Sequence, residues 1–580
     1  MRRFVLIDNH HIGVSFPYNE QAIQQIKRLP GRKWNTKERR WELPLSQLGQ
    51  VLKILGAEAQ NVPRSIWALY EEQWGGDVDA RLEVGNCFTT LQGRNLPMAR
   101  IEEVTSFWVE GAEHTDRYKK GQWDGLKRLL RKKKSMEFPT GLLPSVLEVL
   151  DRHKLKYRLI EQFSLPGPSL ELQLQGIELR AYQKRAVSQA MKARRGVLQM
   201  ATGSGKTVVA AALIARLKQP TLFFVHTKDL LYQAKDYFQK SLGVSIGQIG
   251  DGVVDIQPIT VATIQTTSRA FGVKIPKEEQ AEVEKESKVV TAAEQIQAIK
   301  EKSEITPLVF FDECHHLPAS TCYSLAMRTT AACYRFGLSA TPYRSDRQDL
   351  MIEAAVGPKV FKVNSSFLIQ KGYLVRPQIH FFRISPTLKT GRYVRYATVY
   401  QHEVVENANR NQLIAELAKG FAKRRQTVLI LVTQVKHGKL LEALLPQAVL
   451  LTGRDRSDFR TKTLDALRKG TQKIVIATTL ADEGLDIPSL NVLILAGAGK
   501  SETRALQRIG RALRKTEKKN EATVIDFYDQ TRFLELHSQR RHEIYQTEKE
   551  FKIQIEDDPS LRLNASGRSQ RDLLEGLLSR

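Results

Sequence analysis

The sequence predicts an α/β protein in which two parallel-sheet domains follow two small α+β units. From residue 171 onward, short apolar runs alternate with segments of helical periodicity, as in parallel sheets that are covered on both faces. A glycine-rich loop follows the first of these runs. Before residue 164 the chain instead carries short strands, turns and clusters of cations, and its 580 residues are too many for one domain.

Composition narrows the class of partner. The chain has 89 Lys and Arg residues against 63 Asp and Glu residues, a net charge of +26. An excess of this size favours a polyanion, most simply nucleic acid. With 42% hydrophobic residues the chain can bury sizeable cores, which excludes a disordered protein.

The chain has only four cysteines and no CxxC pair, so neither a disulfide scaffold nor a zinc ribbon is indicated. The first residues have too short an apolar run for a signal peptide, and no later run is long enough to span a membrane. We therefore expect a reducing, cytoplasmic location and no membrane partner.

Residues 1–60 are predicted to form the first small unit. After two short strands and a helix, cations alternate with Trp34 and Trp41. Such a surface suits nucleic acid, because cations neutralise phosphates and aromatic rings stack on exposed bases. The alternative is that both tryptophans belong to the core and the cations are only solvated. The candidate nucleic-acid contacts here are Arg32, Lys33, Trp34, Arg39 and Arg40.

Residues 61–163 are predicted to form the second small unit. Its candidate nucleic-acid contacts are Lys119 and Lys120, whereas Trp123 is expected to be structural. The cation run at 131–134 is interpreted as a solvated hairpin tip that could also touch phosphate. Residues 164–170 are predicted to be a linker that crosses few contacts, so that a chain beginning at Leu170 would still fold.

The first α/β domain is predicted over 171–375 and the second over 376–545, with about five strands each. The candidate strands are 197–200, 221–225, 259–262, 308–311 and 336–339 in the first domain, and 427–432, 448–451, 473–477, 492–495 and 523–527 in the second. A charged segment at 274–302 is predicted to be an exposed helical insertion or a mobile loop. Residues 546–580 are predicted to be a C-terminal tail.

The segment from Met200 to Thr207 has the strand–glycine loop–helix context of a phosphate-binding loop. Its glycines let backbone N–H groups face phosphate oxygens. Lys206 would reach the β- and γ-phosphates, and the Thr207 hydroxyl would hold Mg²⁺. Met200 stands where the general pattern has glycine. The phosphate-binding candidates are Thr202, Gly203, Ser204, Gly205, Lys206 and Thr207.

An acidic pair, Asp312 and Glu313, directly follows a predicted strand. In a phosphate-loop protein this position handles Mg²⁺ and the attacking water. Asp312 would bind Mg²⁺, and Glu313 would orient and deprotonate the water. The three residues that follow, Cys-His-His, lack the spacing of a zinc site. Ser339-Ala-Thr-Pro342 ends the next strand and fits a hydroxyl-bearing coupling loop.

With these motifs in this order, the chain resembles superfamily-2 helicases and translocases from about Leu179 to Phe527. The resemblance implies two RecA-like domains that use ATP and Mg²⁺. It implies further site residues: adenine contacts at Arg180 and Gln183, nucleotide contacts at Gly484 and Asp486, catalytic residues Gln507, Arg511 and Arg514, and phosphodiester contacts at Thr227, Thr263, Thr266 and Thr478. Arg511 and Arg514 lie three apart on one helical face, so both could reach one triphosphate.

The small units also resemble known modules. The segments 16–19, 26–34 and 39–41 resemble the HARP module of annealing helicases, and 118–125 with 138–143 resembles the N-terminal domain of UvsW/XPB-type helicases. These resemblances imply branched DNA, at forks or Holliday junctions, and a DNA helicase or translocase in repair, recombination or replication. The alternatives are a duplex translocase of a restriction or defence system with a separate nuclease, and an ATP-gated clamp that does not move.

Overall fold

The computed structural model describes residues 2–74, 78–93, 95–132, 136–273, 290, 292–340, 349–387, 395–478, 487, 489–497, 506, 509–510, 513–515, 519 and 521–556, without the side chains of 59, 73 and 457. Within these residues it contains two antiparallel-rich small units and two α/β domains with large parallel sheets. The predicted fold class is confirmed.

The first small unit packs three helices on a four-stranded antiparallel sheet with the order β1-β2-β4-β3. Its hydrophobic core extends to Trp74 in the third helix, so the predicted boundary at residue 60 is too early. Its elements are β1 (Arg3–Asp8), β2 (His11–Ser15), α1 (Glu20–Ile26), β3 (Lys33–Asn35), β4 (Arg40–Pro44), α2 (Leu48–Leu55) and α3 (Arg64–Trp74).

The second small unit has a five-stranded sheet with the order β11-β5-β6-β10-β9, and a separate two-stranded ribbon, β7-β8. Only the outer pair β11-β5 is parallel in the larger sheet. Its elements are β5 (Ala80–Val84), β6 (Phe88–Gly93), α4 (Met98–Val104), β7 (Ser106–Trp108), α5 (Asp116–Lys119), β8 (Leu126–Arg128), β9 (Arg131–Lys132), β10 (Met136–Pro139), α6 (Leu143–Arg152) and β11 (Tyr157–Glu161).

The first α/β domain has an eight-stranded sheet with the order β15-β14-β16-β13-β17-β18-β12-β19, parallel except for β15. The five predicted strands are present, and β14, β15 and β19 were not predicted. Its elements are α7 (Ala181–Ala193), β12 (Arg195–Met200), α8 (Lys206–Leu217), β13 (Thr221–Val225), α9 (Lys228–Leu242), β14 (Gly247–Gly250), β15 (Val253–Asp255), β16 (Ile259–Thr263), α10 (Ile264–Ala270), α11 (Ala293–Ile305), β17 (Leu308–Asp312), α12 (Ser320–Ala326), β18 (Tyr334–Ser339), α13 (Asp349–Val356), β19 (Lys359–Val363) and α14 (Ser365–Gln370).

The charged segment predicted at 274–302 is only partly an exposed insertion. Helix α11 occupies its C-terminal end and buries Ile299 in the domain core. Lys302, also buried, donates from Nζ to the carbonyl oxygen of Pro258 at 3.0 Å. Apart from 290 and 292, the positions before α11 lie outside the described residues.

The second α/β domain has a seven-stranded parallel sheet with the order β22-β23-β21-β24-β25-β20-β26. Residues predicted to be a tail supply β26, which pairs with β20 at the edge of the sheet. Its two isoleucines alternate with polar residues, a pattern that an edge strand allows. Its elements are β20 (Arg376–Ile384), α15 (Tyr396–Tyr400), α16 (Ala408–Lys423), β21 (Val428–Val432), α17 (Val435–Leu444), β22 (Val449–Leu451), α18 (Ser457–Lys469), β23 (Ile474–Thr478), β24 (Val492–Ile494), β25 (Glu521–Asp529), α19 (Leu534–Gln546) and β26 (Lys552–Glu556).

The second small unit is docked on the first α/β domain. A methyl group on Gly141 would overlap the carbonyl oxygen of Glu353 in α13, so only glycine permits this approach. The Asn86 amide donates to the carbonyl oxygen of Thr330 at 2.9 Å. The fully buried Arg335 lies 3.5 Å from the Cys87 sulfur and bonds several carbonyl groups of its own domain.

The predicted linker is also held by the first α/β domain. Gln219 donates from Nε2 to the carbonyl oxygen of Gly167 at 2.7 Å, and the Ser169 N–H donates to the carbonyl oxygen of Lys218 at 3.0 Å. The prediction that this boundary crosses few contacts is therefore wrong. Proline and glycine here mark an extended segment that follows the surface of the domain.

No described helix is long and apolar enough to cross a membrane. The four cysteines are buried and unpaired with one another.

Candidate active site

The phosphate loop connects β12 to α8 at the carboxyl edge of the first parallel sheet. Gly203 and Gly205 have φ values of +81° and +83°, a region that side chains rarely adopt. Lys206 begins α8, so the loop lies at the N-terminus of a twelve-residue helix. This geometry matches the predicted phosphate-binding loop, with backbone N–H groups and helix dipole facing one anion site.

Lys206 and Glu313 form an ion pair at the centre of the site, with Nζ donating to Oε1 at 2.6 Å. Burial alone would lower the pKa of Lys206, but the charges of Glu313 and Asp312 outweigh it and raise that pKa. Burial would likewise raise the pKa of Glu313, yet the Lys206 charge and a His315 contact lower it. Both partners are therefore held in their charged forms.

Glu313 is also held in an unusual backbone conformation. Its φ of +47° places a non-glycine residue in the left-handed region, where it begins a tight turn over Cys314–His316. Such strain persists where the surroundings require it, commonly at catalytic positions. It turns the carboxylate away from the strand direction and toward Lys206.

The side-chain oxygens available for Mg²⁺ come from Thr207, in the first turn of α8, and Asp312, at the end of β17. Hydroxyl and carboxylate oxygens are the donors that Mg²⁺ prefers. Burial raises the pKa of Asp312 to about 6 against the opposing charge of Lys206. A cation beside this carboxylate would offset the burial, so the donor set fits Mg²⁺. Among the described residues there is no cluster of His, Cys, Asp and Glu of the kind that holds zinc.

Two residues of α7, Tyr182 and Gln183, hold the phosphate loop in place. Gln183 is 4% exposed, and its Nε2 donates to the carbonyl oxygen of Ser204 at 3.0 Å while its Oε1 accepts from the Arg180 N–H. The Tyr182 hydroxyl donates to the same Ser204 carbonyl at 2.6 Å. In this conformation Gln183 supports the loop, and its predicted contact with adenine stays a prediction. Tyr182 was not predicted.

Arg180, the other predicted adenine contact, stacks on an aromatic ring. Its guanidinium carbon lies 4.1 Å from the centroid of Tyr373, in the connection between the two α/β domains. The next residue, Leu374, approaches Gly203 of the phosphate loop. Tyr373 was not predicted, because no sequence motif surrounds it. It is distant in sequence from both Arg180 and the phosphate loop.

The arginine motif of the second α/β domain lies against the phosphate loop. A Cβ atom on Gly510 would be 2.6 Å from Cβ of Thr202, and one on Gly203 would be 3.8 Å from Cγ of Arg514. The N–H of Val375 donates to the carbonyl oxygen of Leu513 at 2.8 Å, beside the backbone bridge between Leu374 and Arg514. The structure therefore brings Arg514 to the phosphate loop. Four predicted site residues lie outside the described residues: Gly484, Asp486, Gln507 and Arg511.

Three histidine rings connect the acidic pair to the ends of the two neighbouring strands, β13 and β18. His226 follows β13, and its ring centroid is 4.1 Å from that of His316, which is 4.2 Å from that of His315. His315 contacts Glu313 at 3.3 Å and the Ser339 hydroxyl at 3.2 Å. This links the acidic pair to the described start of the predicted coupling loop; Thr341 and Pro342 lie outside the described residues.

The predicted phosphodiester contacts differ in accessibility. Thr227 caps α9 at the carboxyl edge of the sheet and is only partly buried. Thr263 is fully buried and donates its hydroxyl to that of Thr266 at 2.9 Å, so these two residues shape the turn into α10. The predicted contact of Thr263 and Thr266 with DNA stays a prediction. Thr478 ends β23, and its buried hydroxyl has no partner among the described residues.

The two tryptophans of the first small unit have different roles. They face each other across β3 and β4, with ring centroids 5.2 Å apart. Trp41 packs on the core, whereas Trp34, on the edge strand, is 45% exposed. Three of the four candidate cations beside them are exposed: Arg32, Lys33 and Arg39.

Arg40 is the least available of these cations, because it is partly buried and donates to the Glu42 carboxylate at 3.4 Å. In the second small unit, Lys119 and Lys120 are exposed. Trp123 is partly buried, with its indole N–H donating to the carbonyl oxygen of Leu126 at 2.8 Å, in line with a structural role.

Comparison with known families matches both α/β domains. Residues 176–344 match the family described as the res subunit of type III restriction enzymes, and residues 409–516 match the helicase conserved C-terminal domain. The first match contains the phosphate loop and the acidic pair, and the second contains Arg514.

Two relatives match more of the chain. The DNA 3'-5' translocase XPB2 of Sulfurisphaera tokodaii is 28% identical over 403 residues, which cover 63% of this chain and 83% of that protein. The ATP-dependent DNA helicase uvsW of Enterobacteria phage T4 is 25% identical over 466 residues, covering 74% and 86%. The crystal structure of T4 UvsW aligns with 83% of this chain and 99% of its own, at 22% identity and a TM-score of 0.38.

Both domain matches occur in one chain and in the order of its motifs, and the residues that they contain meet at one phosphate loop. The relatives of the XPB and UvsW types cover 63% and 74% of the chain, more than either domain match alone. The two matched domains and these relatives therefore support an ATP-driven DNA helicase or translocase of superfamily 2, similar to the helicases of the UvsW and XPB branch.

Proposed function

We propose that this enzyme remodels branched DNA, at forks or Holliday junctions, by ATP-dependent unwinding, branch migration or annealing during repair, recombination or replication. The observation that carries the proposal is the surface of the first small unit. There, Trp34 stands 45% exposed on an edge strand beside the exposed cations Lys33 and Arg39. Cations hold phosphates of any sequence, and an exposed ring can stack on a base that a branch leaves unpaired.

Two further features support a role on branches. The second small unit is docked on the first α/β domain through Gly141 and Asn86, so its surface moves together with the phosphate loop. The relative uvsW is named an ATP-dependent DNA helicase and the relative XPB2 a DNA 3'-5' translocase, and both names fit an enzyme that remodels DNA. The likeness of the first unit to the HARP module remains part of this proposal.

In the catalytic cycle the ion pair of Lys206 with Glu313 keeps the carboxylate from acting as a base until ATP binds. While Lys206 bonds Glu313, the carboxylate is a weak base, because the nearby positive charge lowers its pKa. When Lys206 turns to the phosphates of bound ATP, its positive charge no longer neutralises Glu313. The Glu313 carboxylate is then free to orient and deprotonate water. Arg514, already beside the loop, stabilises the charge that develops on the transferred phosphoryl group.

Thr207 and Asp312 would hold Mg²⁺ at the same site. Mg²⁺, when bound, neutralises charge on the phosphate oxygens. The remaining work belongs to the protein: the loop glycines admit the phosphates, and Gln183 and Tyr182 keep the loop in place by bonding the Ser204 carbonyl.

The test is ATP hydrolysis and product formation on matched single strands, duplexes, forks and four-way junctions, with an RNA–DNA hybrid as a further substrate. The proposal expects the highest stimulation and strand exchange on forks or junctions. Replacing Lys33, Trp34 and Arg39 together by Ala should reduce this preference while leaving stimulation by plain duplex largely intact. Equal activity on all DNA forms would contradict it.

A second candidate is a duplex translocase that works with a separate nuclease, which the description of the first matched family favours. It predicts displacement of a third strand from a long duplex and no preference for branches. Hydrolysis without any strand or protein displacement would instead indicate an ATP-gated clamp.

A further inference from the structure

Two aromatic side chains stand exposed on the second small unit, outside the ATP site. Trp108 ends β7 and Tyr118 lies in α5, and each is 36% exposed. Their ring centroids are 5.6 Å apart, and the rings are nearly perpendicular, at 83°. Along β7 the side chains alternate, so Phe107 is buried while Trp108 faces outward.

The surrounding residues hold this aromatic pair in place. A Cβ atom on Gly125, whose φ is +82°, would lie 2.5 Å from the Trp108 ring, so the glycine lets one side of the ring rest on the backbone. Trp123 secures the same turn through its bond to the Leu126 carbonyl. The Tyr118 ring also contacts Trp108, in a nearly perpendicular arrangement. The exposed indole surface is therefore oriented before any ligand arrives, which lowers the entropy cost of binding.

The charges around the aromatic pair indicate what it binds. Arg117, Lys119 and Lys120 adjoin Tyr118 and are exposed. None of the three forms an ion pair with a carboxylate in the part of the chain that the structure describes, whereas nearby Arg128 is paired with Asp124. An apolar protein partner would leave these cations unsatisfied. Nucleic acid supplies both a phosphate for the cations and a base for the rings.

The aromatic pair is tied to the first α/β domain. Lys127, in the strand that pairs with β7, places its Nζ 3.2 Å from the sulfur of Met351 in α13. A base held at Trp108 would therefore stay at a fixed distance from the phosphate loop while the second α/β domain moves.

From these contacts we propose that Trp108 and Tyr118 form a stacking site for an unpaired base next to the branch point of DNA. The inference rests on the proposed function and names the part of the branch that the second small unit recognises. The sequence predicts Lys119 and Lys120 as nucleic-acid contacts in this unit. The inference adds Trp108, which lies in no recognisable sequence motif.

The experiment uses the full chain and forks that carry 2-aminopurine at the first unpaired position. Stacking quenches this fluorophore, so wild type should quench it on binding. Trp108→Leu keeps an apolar contact on Gly125 but removes the aromatic surface. It should abolish most of the quenching and weaken fork binding by about 5- to 100-fold, the range for loss of one stacked base. Trp108→Phe should retain most of both signals, and Tyr118→Leu should reduce them.

Leu159→Ala is the matched control, because Leu159 is an exposed apolar residue of the same unit, on β11. It should change neither quenching nor affinity. A Trp108→Leu variant with wild-type quenching and fork affinity overturns the stacking site, whether the surface is idle or binds protein. Equal losses on fork and plain duplex also overturn it, since they indicate a general loss of DNA binding. If wild type itself shows no preference for forks, the proposed function fails instead.

Discussion

Arg460 and Asp229 form an ion pair between the two α/β domains, with Nη2 of Arg460 3.4 Å from Oδ2 of Asp229. Asp229 lies in the first turn of α9, two residues after Thr227, a predicted contact to the DNA backbone. Arg460 lies in α18 of the second domain. The pair connects the helix that begins at the predicted DNA contact to the domain that must close on the nucleotide.

Reversing either charge of this pair should weaken domain closure on DNA. A partly exposed ion pair contributes about 0.2–1 kcal/mol, and reversal adds repulsion, so DNA-stimulated hydrolysis should fall about three- to tenfold in Asp229→Lys or Arg460→Glu. The double reversal should recover much of the activity. Asp465→Asn, which breaks a pair inside α18, is the control. Failure of the double variant to recover would mean that the two residues act separately.

Glu313→Gln should bind ATP at least as tightly as wild type but turn over at least about 10²-fold more slowly, because Lys206 is released while the base is lost. Lys206→Ala should abolish hydrolysis and spare nucleotide-free DNA binding. Single-turnover hydrolysis and binding of a fluorescent ATP analogue separate the two effects. Loss of nucleotide binding in Glu313→Gln would show that the carboxylate is not the base.

Arg514→Ala should lower kcat by roughly 10³-fold, as for an arginine finger. The residue next to it, Lys515, is exposed and offers a matched control: Lys515→Ala should leave kcat unchanged. The same loss is predicted for Arg511→Ala. A mild effect at both arginines would mean that the second α/β domain does not act on the phosphates.

His316→Ala should reduce the stimulation of hydrolysis by DNA more than it reduces the basal rate. The His316 ring lies between that of His226, next to the predicted DNA contact Thr227, and that of His315, which touches Glu313. Removing it breaks this packed route but leaves the acidic pair intact. The ratio of DNA-stimulated to basal rate is the measurement, and an unchanged ratio would exclude the ring stack as a coupling element.

A chain that begins at residue 170 should be less stable than one that begins at residue 78. The longer chain keeps the second small unit, which covers Arg335 and packs Gly141 on Glu353. The shorter chain exposes that face and breaks the bonds to Asn86. Thermal unfolding followed by far-UV circular dichroism should show a first transition at a lower temperature for the shorter chain. Equal transitions would mean that the docking contributes no stability.

Local chemistry explains which parts could be predicted. The phosphate loop, the acidic pair and the strands beside them are contiguous runs whose spacing alone defines their geometry. The strands that were missed lack that signal. Gly247–Gly250 in β14 begins and ends with glycine, and Lys552–Glu556 in β26 has only two apolar residues among five. Both strands pair with a strand elsewhere in the chain.

The sequence by itself determined the fold class, the order of the motifs and the identities of Lys206, Asp312 and Glu313, because each depends on neighbours within a few residues. Only the tertiary structure decided that Lys206 pairs with Glu313 and that Thr263 is buried. It also decided that the second small unit is docked and that Trp108 is exposed. These features result from packing between segments that are far apart in the chain. Residue type and local spacing do not predict which distant surface a side chain will contact.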